Sequence, residues 1–287
     1  MAATNNVLWL RAQGRSRIGI YGILFAATIW VAIPFLWAII NSIKTLNETF
    51  QTGAIIPFLQ FSPTLDSWHQ ALNGTGVLHA LLSSVVVSSG ATMLVLVIGV
   101  PAAYSLARFE FPVSSRDITL WFLSQRVLPP AIMLVPFYLM MVFFGLIDTW
   151  TGLIISYSTF SLAFGVVIMR DVFRDVSKEV EEAAKVEGAT AWQIFLLIAL
   201  PLSLDGIVVT AINVFAFGWN EALFSSAFTS RNAQTLASFI LASRGTRDID
   251  FNLAAVNTLL AIGPPVILSF FFQRYLARGL SFGAVKG

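Results

Sequence analysis

Ser177–Pro201 reads SKEVEEAAKVEGATAWQIFLLIALP, the one long charge-dense segment in an otherwise oily chain. Lys178, Glu179, Glu181, Glu182, Lys185 and Glu187 crowd its first half. Ser177 is a good helix N-cap, and Glu179 falls in the first turn, where the helix dipole favours negative charge. Val180, Ala183, Ala184 and Val186 or Glu187 recur at three- and four-residue spacings, which predicts a small, smooth apolar stripe down one side. Gly188 supplies the left-handed residue that closes this helix. Thr190 with Gln193 makes a capping box that opens a second helix over Ala191–Leu200. Pro201 follows where that helix meets the membrane. The segment is predicted as a bent, two-piece surface element whose small-residue face suits a partner's groove.

Outward from this segment the chain is apolar. Hydrophobic residues make up 57% and charged residues 11%, and the mean hydropathy of +0.80 is too high for a soluble domain of 287 residues. These values predict an integral membrane protein. A net charge of +2 gives no argument for nucleic acid as a partner. The lack of cysteine excludes disulfides and thiolate metal sites. The two histidines, His69 and His79, flank the first external loop and are better explained by ordinary polar contacts than by a metal.

Arg11, Arg15 and Arg17 precede an uncharged run, Ile18–Ile40, that is longer than a signal-peptide core and lacks a convincing cleavage site. At about 1.5 Å per residue it crosses a bilayer core of about 30 Å. Residues 41–79 form a polar loop with one short helix near Leu65–Leu72. Further spans are predicted over 80–106, 118–144, 151–169, 198–219 and 253–275, making six in a single membrane domain, 1–287. Of seventeen lysines and arginines, twelve lie at the N-terminus, around Arg108 and Arg116, in the 170–185 segment and near the C-terminus. Lys44, Arg231, Arg244 and Arg247 lie on the other side. The positive-inside rule therefore predicts cytoplasmic termini and a cytoplasmic 177–201 segment.

The third span, SQRVLPPAIMLVPFYLMMVFFGL, carries Arg126 near mid-depth. Such a charge must face protein or water. It is either a residue of the transport pathway or a partner for carbonyls freed by Pro129, Pro130 and Pro136. Asp205, four residues after Pro201, reads as interfacial. Gly263-Pro264-Pro265 is expected to kink the last span. The segment from Trp219 to Asn252 is a long external connector. Trp219, Asn220 and Glu221 are pathway candidates, and Trp219, Phe224 and Phe228 offer aromatic faces that could stack on a ring-bearing ligand or simply sit at the membrane interface, where aromatics are common.

Glu182-Ala183-Ala184, Gly188, Ile198, Leu200 and Pro201 together resemble, at matching spacing, the EAA loop of permease subunits from bacterial ABC importers. Leu128–Ile155, Trp219-Asn220-Glu221 and the closing GLSFGAVKG are similar to the carbohydrate branch, within it to the maltose-importer type. The likeness runs from Ile18 to Gly287. It implies an all-α, type I importer permease with six transmembrane helices in the bacterial inner membrane. It implies a heterodimer with a second permease subunit, two ATP-binding cassette ATPase subunits, an extracytoplasmic solute-binding protein and a sugar substrate. The EAA loop would be the coupling helix, seated in a cleft of the ATPase. The tail, including Gly283, Lys286 and Gly287, would reach toward the ATPase interface.

None of the four lysines follows a glycine, so the chain has no phosphate-binding loop. ATP and its magnesium belong on the ATPase subunits, and this chain is expected to carry no cofactor and to be no enzyme. An ion-gradient-driven secondary transporter and a non-transport membrane scaffold remain as alternatives. They differ in what drives uptake, and the scaffold moves nothing.

Overall fold

Apolar runs in a bilayer must satisfy their backbone groups internally, which favours helices. The computed structural model describes residues 2–50, 53, 55–74, 76–125, 127–243 and 250–281, and these are nearly all helical. The chain divides into two units, Met1–Thr75 with Asp248–Leu259, and Gly76–Arg247 with Leu260–Gly287.

The first unit holds α1 (Ala2–Ser42), α2 (Leu46–Thr49), α3 (Asp66–Gly74) and the start of α14 (Phe251–Ser281). The short loop helix expected near Leu65–Leu72 is α3. Asn252 ties this unit together: its amide donates to the Asn41 and Lys44 carbonyls at 3.0 and 2.7 Å, and its oxygen accepts from Thr49 at 2.9 Å. Phe50 meets Phe251 edge to face at 5.9 Å.

The second unit is built on α4 (Val77–Arg108) and α7 (Trp150–Asp175), with α11 (Leu204–Asn220) packed against both. Small residues let these helices approach. A β-carbon on Gly165 of α7 would lie 2.7 Å from Val95 Cγ1 of α4, so a larger residue there forces the pair apart. Toward one end of α4 and α7, Tyr104, Met169, Phe173 and Phe195 form a core; toward the other, Val87, Leu153, Tyr157, Phe224 and Phe228 form a second.

The third span, expected as one helix over 118–144, is two: α5 (Ser115–Ser124) and α6 (Pro130–Phe143). The residue before a proline avoids helical geometry. Leu128 and Pro129 both precede prolines, and Pro129 is extended at φ −60°, ψ 128°. Pro130 then opens α6, where a missing N–H costs nothing. The fifth span is also divided. Ala191–Leu202 and Leu204–Asn220 meet at a 75° bend around Ser203. By contrast α14 runs through Pro264 and Pro265 without a break. Among the described residues four helices are long and apolar enough to cross a membrane, or five if the bent pair counts as one.

Candidate coupling surface and transport pathway

The 177–201 segment folds as its caps dictate. α8 (Lys178–Val186) ends at Gly188, whose φ of +88° is left-handed. The Ala189 N–H donates to the Ala184 carbonyl and the Gly188 N–H to the Lys185 carbonyl, both at 3.0 Å. This is the Schellman closure, which satisfies carbonyls the helix end leaves free. Thr190 and Gln193 then exchange capping bonds. The Thr190 N–H donates to Gln193 Oε1 at 2.8 Å, and the Gln193 N–H to Thr190 Oγ1 at 3.3 Å. At the front of α8 the Ser177 hydroxyl contacts the Glu179 carboxylate and makes no capping bond to the backbone.

Past α9 (Ala191–Ile194) the chain departs from the single expected helix over Ala191–Leu200. Phe195–Ala199 is a π-helical turn, followed by the short α10 (Leu200–Leu202). A proline at 201 lacks an N–H and crowds the carbonyl four residues before it, so the preceding turn widens.

The sequence did not announce how this element is held. Glu181 is 3% exposed and lies against the end of α4. Arg108 Nε donates to both of its oxygens at 2.9 and 3.0 Å, and Arg108 Nη2 stands 2.8 Å from Glu181 Oε1. The Tyr104 hydroxyl adds a bond at 3.1 Å, and Arg108 Nη2 also donates to the Val176 carbonyl at 2.9 Å. Buried Ile194 and Phe195 complete the anchorage, with Phe195 5.0 Å from the Tyr104 ring. Hung this way, α8 turns Glu182, Ala183, Lys185 and Val186 outward, and Val186 is 90% exposed. Gly188 and Trp192 are exposed beside them, whereas Ala184 is half-buried. Ile198 and Leu200 are half-buried and Pro201 is exposed.

The pathway candidates separate. Trp219 is buried, stacks on Phe215 and donates its indole N–H to the Ala261 carbonyl at 2.8 Å, so it braces helices rather than lining an opening. Phe224 and Phe228 are likewise buried in the core, but Phe224 also forms part of the wall of a cavity beside Glu221. Asn220 is exposed, with its amide bonded back to the Ala216 carbonyl. Glu221 caps α12 (Leu223–Phe228), its carboxylate accepting from the Leu223, Phe224 and Ser225 N–H groups. It also lines a cavity of about 160 Å³ with Tyr157, Phe160, Ser161 and Phe217. A neighbouring cavity of about 320 Å³ shares Pro130 and Phe160 and adds Trp121, Gln125, Phe137 and Thr159. It opens at the break between α5 and α6. Arg126, Gly283, Lys286 and Gly287 lie outside the described residues.

On the side of the second unit away from α8, Asp148 joins two loops. Its carboxylate accepts from the backbone N–H groups of Ser230, Arg231, Asn232 and Ala233 at 3.1–3.3 Å. Burial, the largest single influence, raises its pKa, but the four N–H donors together outweigh it and hold the group below its ordinary value. A depressed carboxylate stabilises the fold above its unfolded pKa of about 3.9 and loses that contribution as pH falls through the folded value. Hydrogen exchange at amides 230–233 is therefore expected to stay slow from pH 7 to 5. Asp148→Ala is expected to speed it at neutral pH by breaking bonds together worth about 1–3 kcal/mol; unchanged protection would show that the loops are held by other contacts.

Residues 96–282, more than half of the chain, match the family model described as the binding-protein-dependent transport system inner membrane component. The trehalose transport system permease protein SugB of Mycobacterium tuberculosis is 32% identical, over 96% of this chain and 100% of its own. The diacetylchitobiose uptake system permease protein NgcG of Streptomyces coelicolor is 30% identical, over 93% of this chain and 88% of its own. In fold, the chain resembles a bacterial ABC transporter involved in import of the acidic polysaccharide alginate, with a TM-score of 0.74 at 18% identity over 89% of this chain and 96% of that one. With its apolar helices, its capped loop and these relatives together, the chain belongs to the family of inner membrane components of binding-protein-dependent transport systems.

Proposed function

We propose that this multi-pass inner-membrane permease subunit imports a carbohydrate, working with a second, related permease, two ATP-binding cassette ATPases and a solute-binding protein. The relatives named for trehalose and diacetylchitobiose transport support the substrate class. The lysine and arginine distribution supports cytoplasmic termini and a cytoplasmic α8. The observation that carries the coupling role is the pairing of a buried anchor, Glu181, with an outward face of small and acidic residues, Glu182, Ala183 and Gly188. An element hung rigidly from α4 and open on its far side can pass a partner's movement into the membrane helices. In this reading Ile198, Leu200 and Pro201 form the joint that conveys it to α11. Glu221 and the aromatic cavities at the α5–α6 break face the sugar's route, where aromatic faces and a few polar groups suit a carbohydrate.

Reconstitution of the complex in liposomes tests this. Uptake of an oligosaccharide should need both ATP inside and the binding protein outside. Uptake driven by an ion gradient without ATP would overturn the reading in favour of a secondary carrier. Glu182→Lys reverses a charge on the outward face and is expected to weaken co-purification of the ATPase several-fold at physiological salt. Unchanged recovery would remove Glu182 from the contact.

A further inference from the structure

Serine and threonine hydroxyls inside a membrane helix ordinarily bond back to a carbonyl of the preceding turn, since no water is there to take them. In α7, Ser156, Ser158 and Thr159 follow this rule, donating to the Gly152, Ile154 and Ile155 carbonyls at 2.6–2.8 Å. Ser161 breaks it. It is only 6% exposed, yet among the described residues its hydroxyl has no hydrogen-bond partner. Nor is its oxygen sealed in, as the unpaired oxygens of Ser88 and Ser203 are. What surface Ser161 keeps lies on the cavity of about 160 Å³ between α7 and α11. Buried polar groups are nearly always paired, so an open, unpaired one asks for a ligand atom.

The same cavity is lined by Glu221, whose carboxylate is fixed by three N–H groups of α12. A carboxylate has about four acceptor sites and no donor, so room remains for one further donor. The Tyr157 hydroxyl is already spent on the Glu221 carbonyl, at 3.1 Å. The cavity therefore offers one acceptor, one hydroxyl that can give or take, and walls from Phe160, Phe217 and Phe224. It is about half the size of the smallest ordinary ligand pocket, so it suits one ring of a larger molecule. Resting on the sugar-import reading above, we propose that this cavity holds one pyranose ring of the cargo and that Ser161 is a specificity-determining residue. One ring hydroxyl donates to Glu221, another pairs with Ser161, and the C–H face of the ring rests on an aromatic wall. A neutral polyol ring is the molecule that brings a donor, a donor–acceptor and an apolar face together. The remainder of the sugar continues past Pro130 and Phe160 into the cavity of about 320 Å³ that those two residues also line.

The chain has no cysteine, so Ser161→Cys places a single thiol in it. The reconstituted complex with its binding protein is screened for ATP-driven uptake of neutral disaccharides, trehalose, maltose and diacetylchitobiose among them, and the sugar carried becomes the probe. With ATP and binding protein present throughout, methyl methanethiosulfonate should modify the thiol, as read by mass spectrometry of this subunit. Saturating probe should slow that reaction at least fivefold. A thiol that stays unreactive, or reacts equally fast with and without the sugar, overturns the proposal. Monodeoxy forms of the probe, delivered by saturating binding protein, give a second reading. The wild-type complex should carry the parent sugar at least fivefold faster than one particular monodeoxy form, and Ser161→Ala should erase that difference while keeping the others. A preference that survives the substitution, or a uniform loss for every sugar, overturns the assignment of Ser161. Sugar uptake with neither effect defeats this inference alone, whereas a complex that carries no sugar on ATP defeats the sugar-import reading.

Discussion

Glu181→Ala, with Arg108 left in place, is expected to destabilise the permease by about 3–5 kcal/mol, the cost of stranding one member of a buried ion pair. Arg108 keeps its bond to the Val176 carbonyl but loses its only close carboxylate among the described residues. Its Nη1 already lacks a partner, so the pocket has no reserve of acceptors. The pair itself is worth less than that figure suggests, since burying two charges offsets much of their attraction. Replacing both, as Arg108→Met with Glu181→Leu, should therefore restore most of the stability. Stability and function should then part. The double variant folds, but without the bidentate clamp α8 is held less exactly in place, and ATPase activity should rise without matching uptake. Thermal unfolding of the single and double variants, with coupled uptake assays, decides this. A cost below about 1 kcal/mol for Glu181→Ala would mean the clamp is not what holds α8.

The second large effect is at Gly188. Nothing lies within 4 Å of where a β-carbon would stand, so the chain itself has room for a side chain. The penalty comes from the backbone, because φ of +88° costs an ordinary residue about 1–2 kcal/mol, and from spoiling an outward face. Gly188→Leu is expected to lower substrate-stimulated ATPase activity at least tenfold, the factor that about 1.4 kcal/mol represents, with further loss from bulk at the docking face. Gly188→Asn, whose side chain tolerates the left-handed region, should keep the bend and much of the activity. If leucine and asparagine behave alike, the turn geometry is not what matters. Wild-type stimulation in the leucine variant would remove this position from coupling altogether.

These two sites differ in how far the sequence disclosed them. The Gly188 closure and the Thr190–Gln193 box are local, made by bonds that reach no more than five positions along the chain, and were legible at once. Glu181 was not, because its burial depends on an arginine 73 residues earlier in the chain. In the sequence it is one acid among several. The same holds for Trp219, read as a pathway candidate, whose indole N–H donates to the Ala261 carbonyl 42 residues further along the chain. Asp148 gave no signal, since its partners are backbone groups more than 80 residues away. The prolines of the third span were visible, but run length alone concealed that two successive pre-proline residues would split it. The Gly263-Pro264-Pro265 step, where a kink was expected, lies within an uninterrupted α14.

The wide turn at Phe195–Ala199 has a mechanical corollary. A π-turn is an α-helix carrying one surplus residue, and one residue of a 3.6-residue turn corresponds to roughly 100° of rotation. Because α8 is clamped to α4 through Glu181 and Arg108, squeezing that residue out, or passing it along to the next turn, would turn α11 about the helix axis relative to the clamped side. A shift of one residue at this turn would thus appear as rotation rather than as translation.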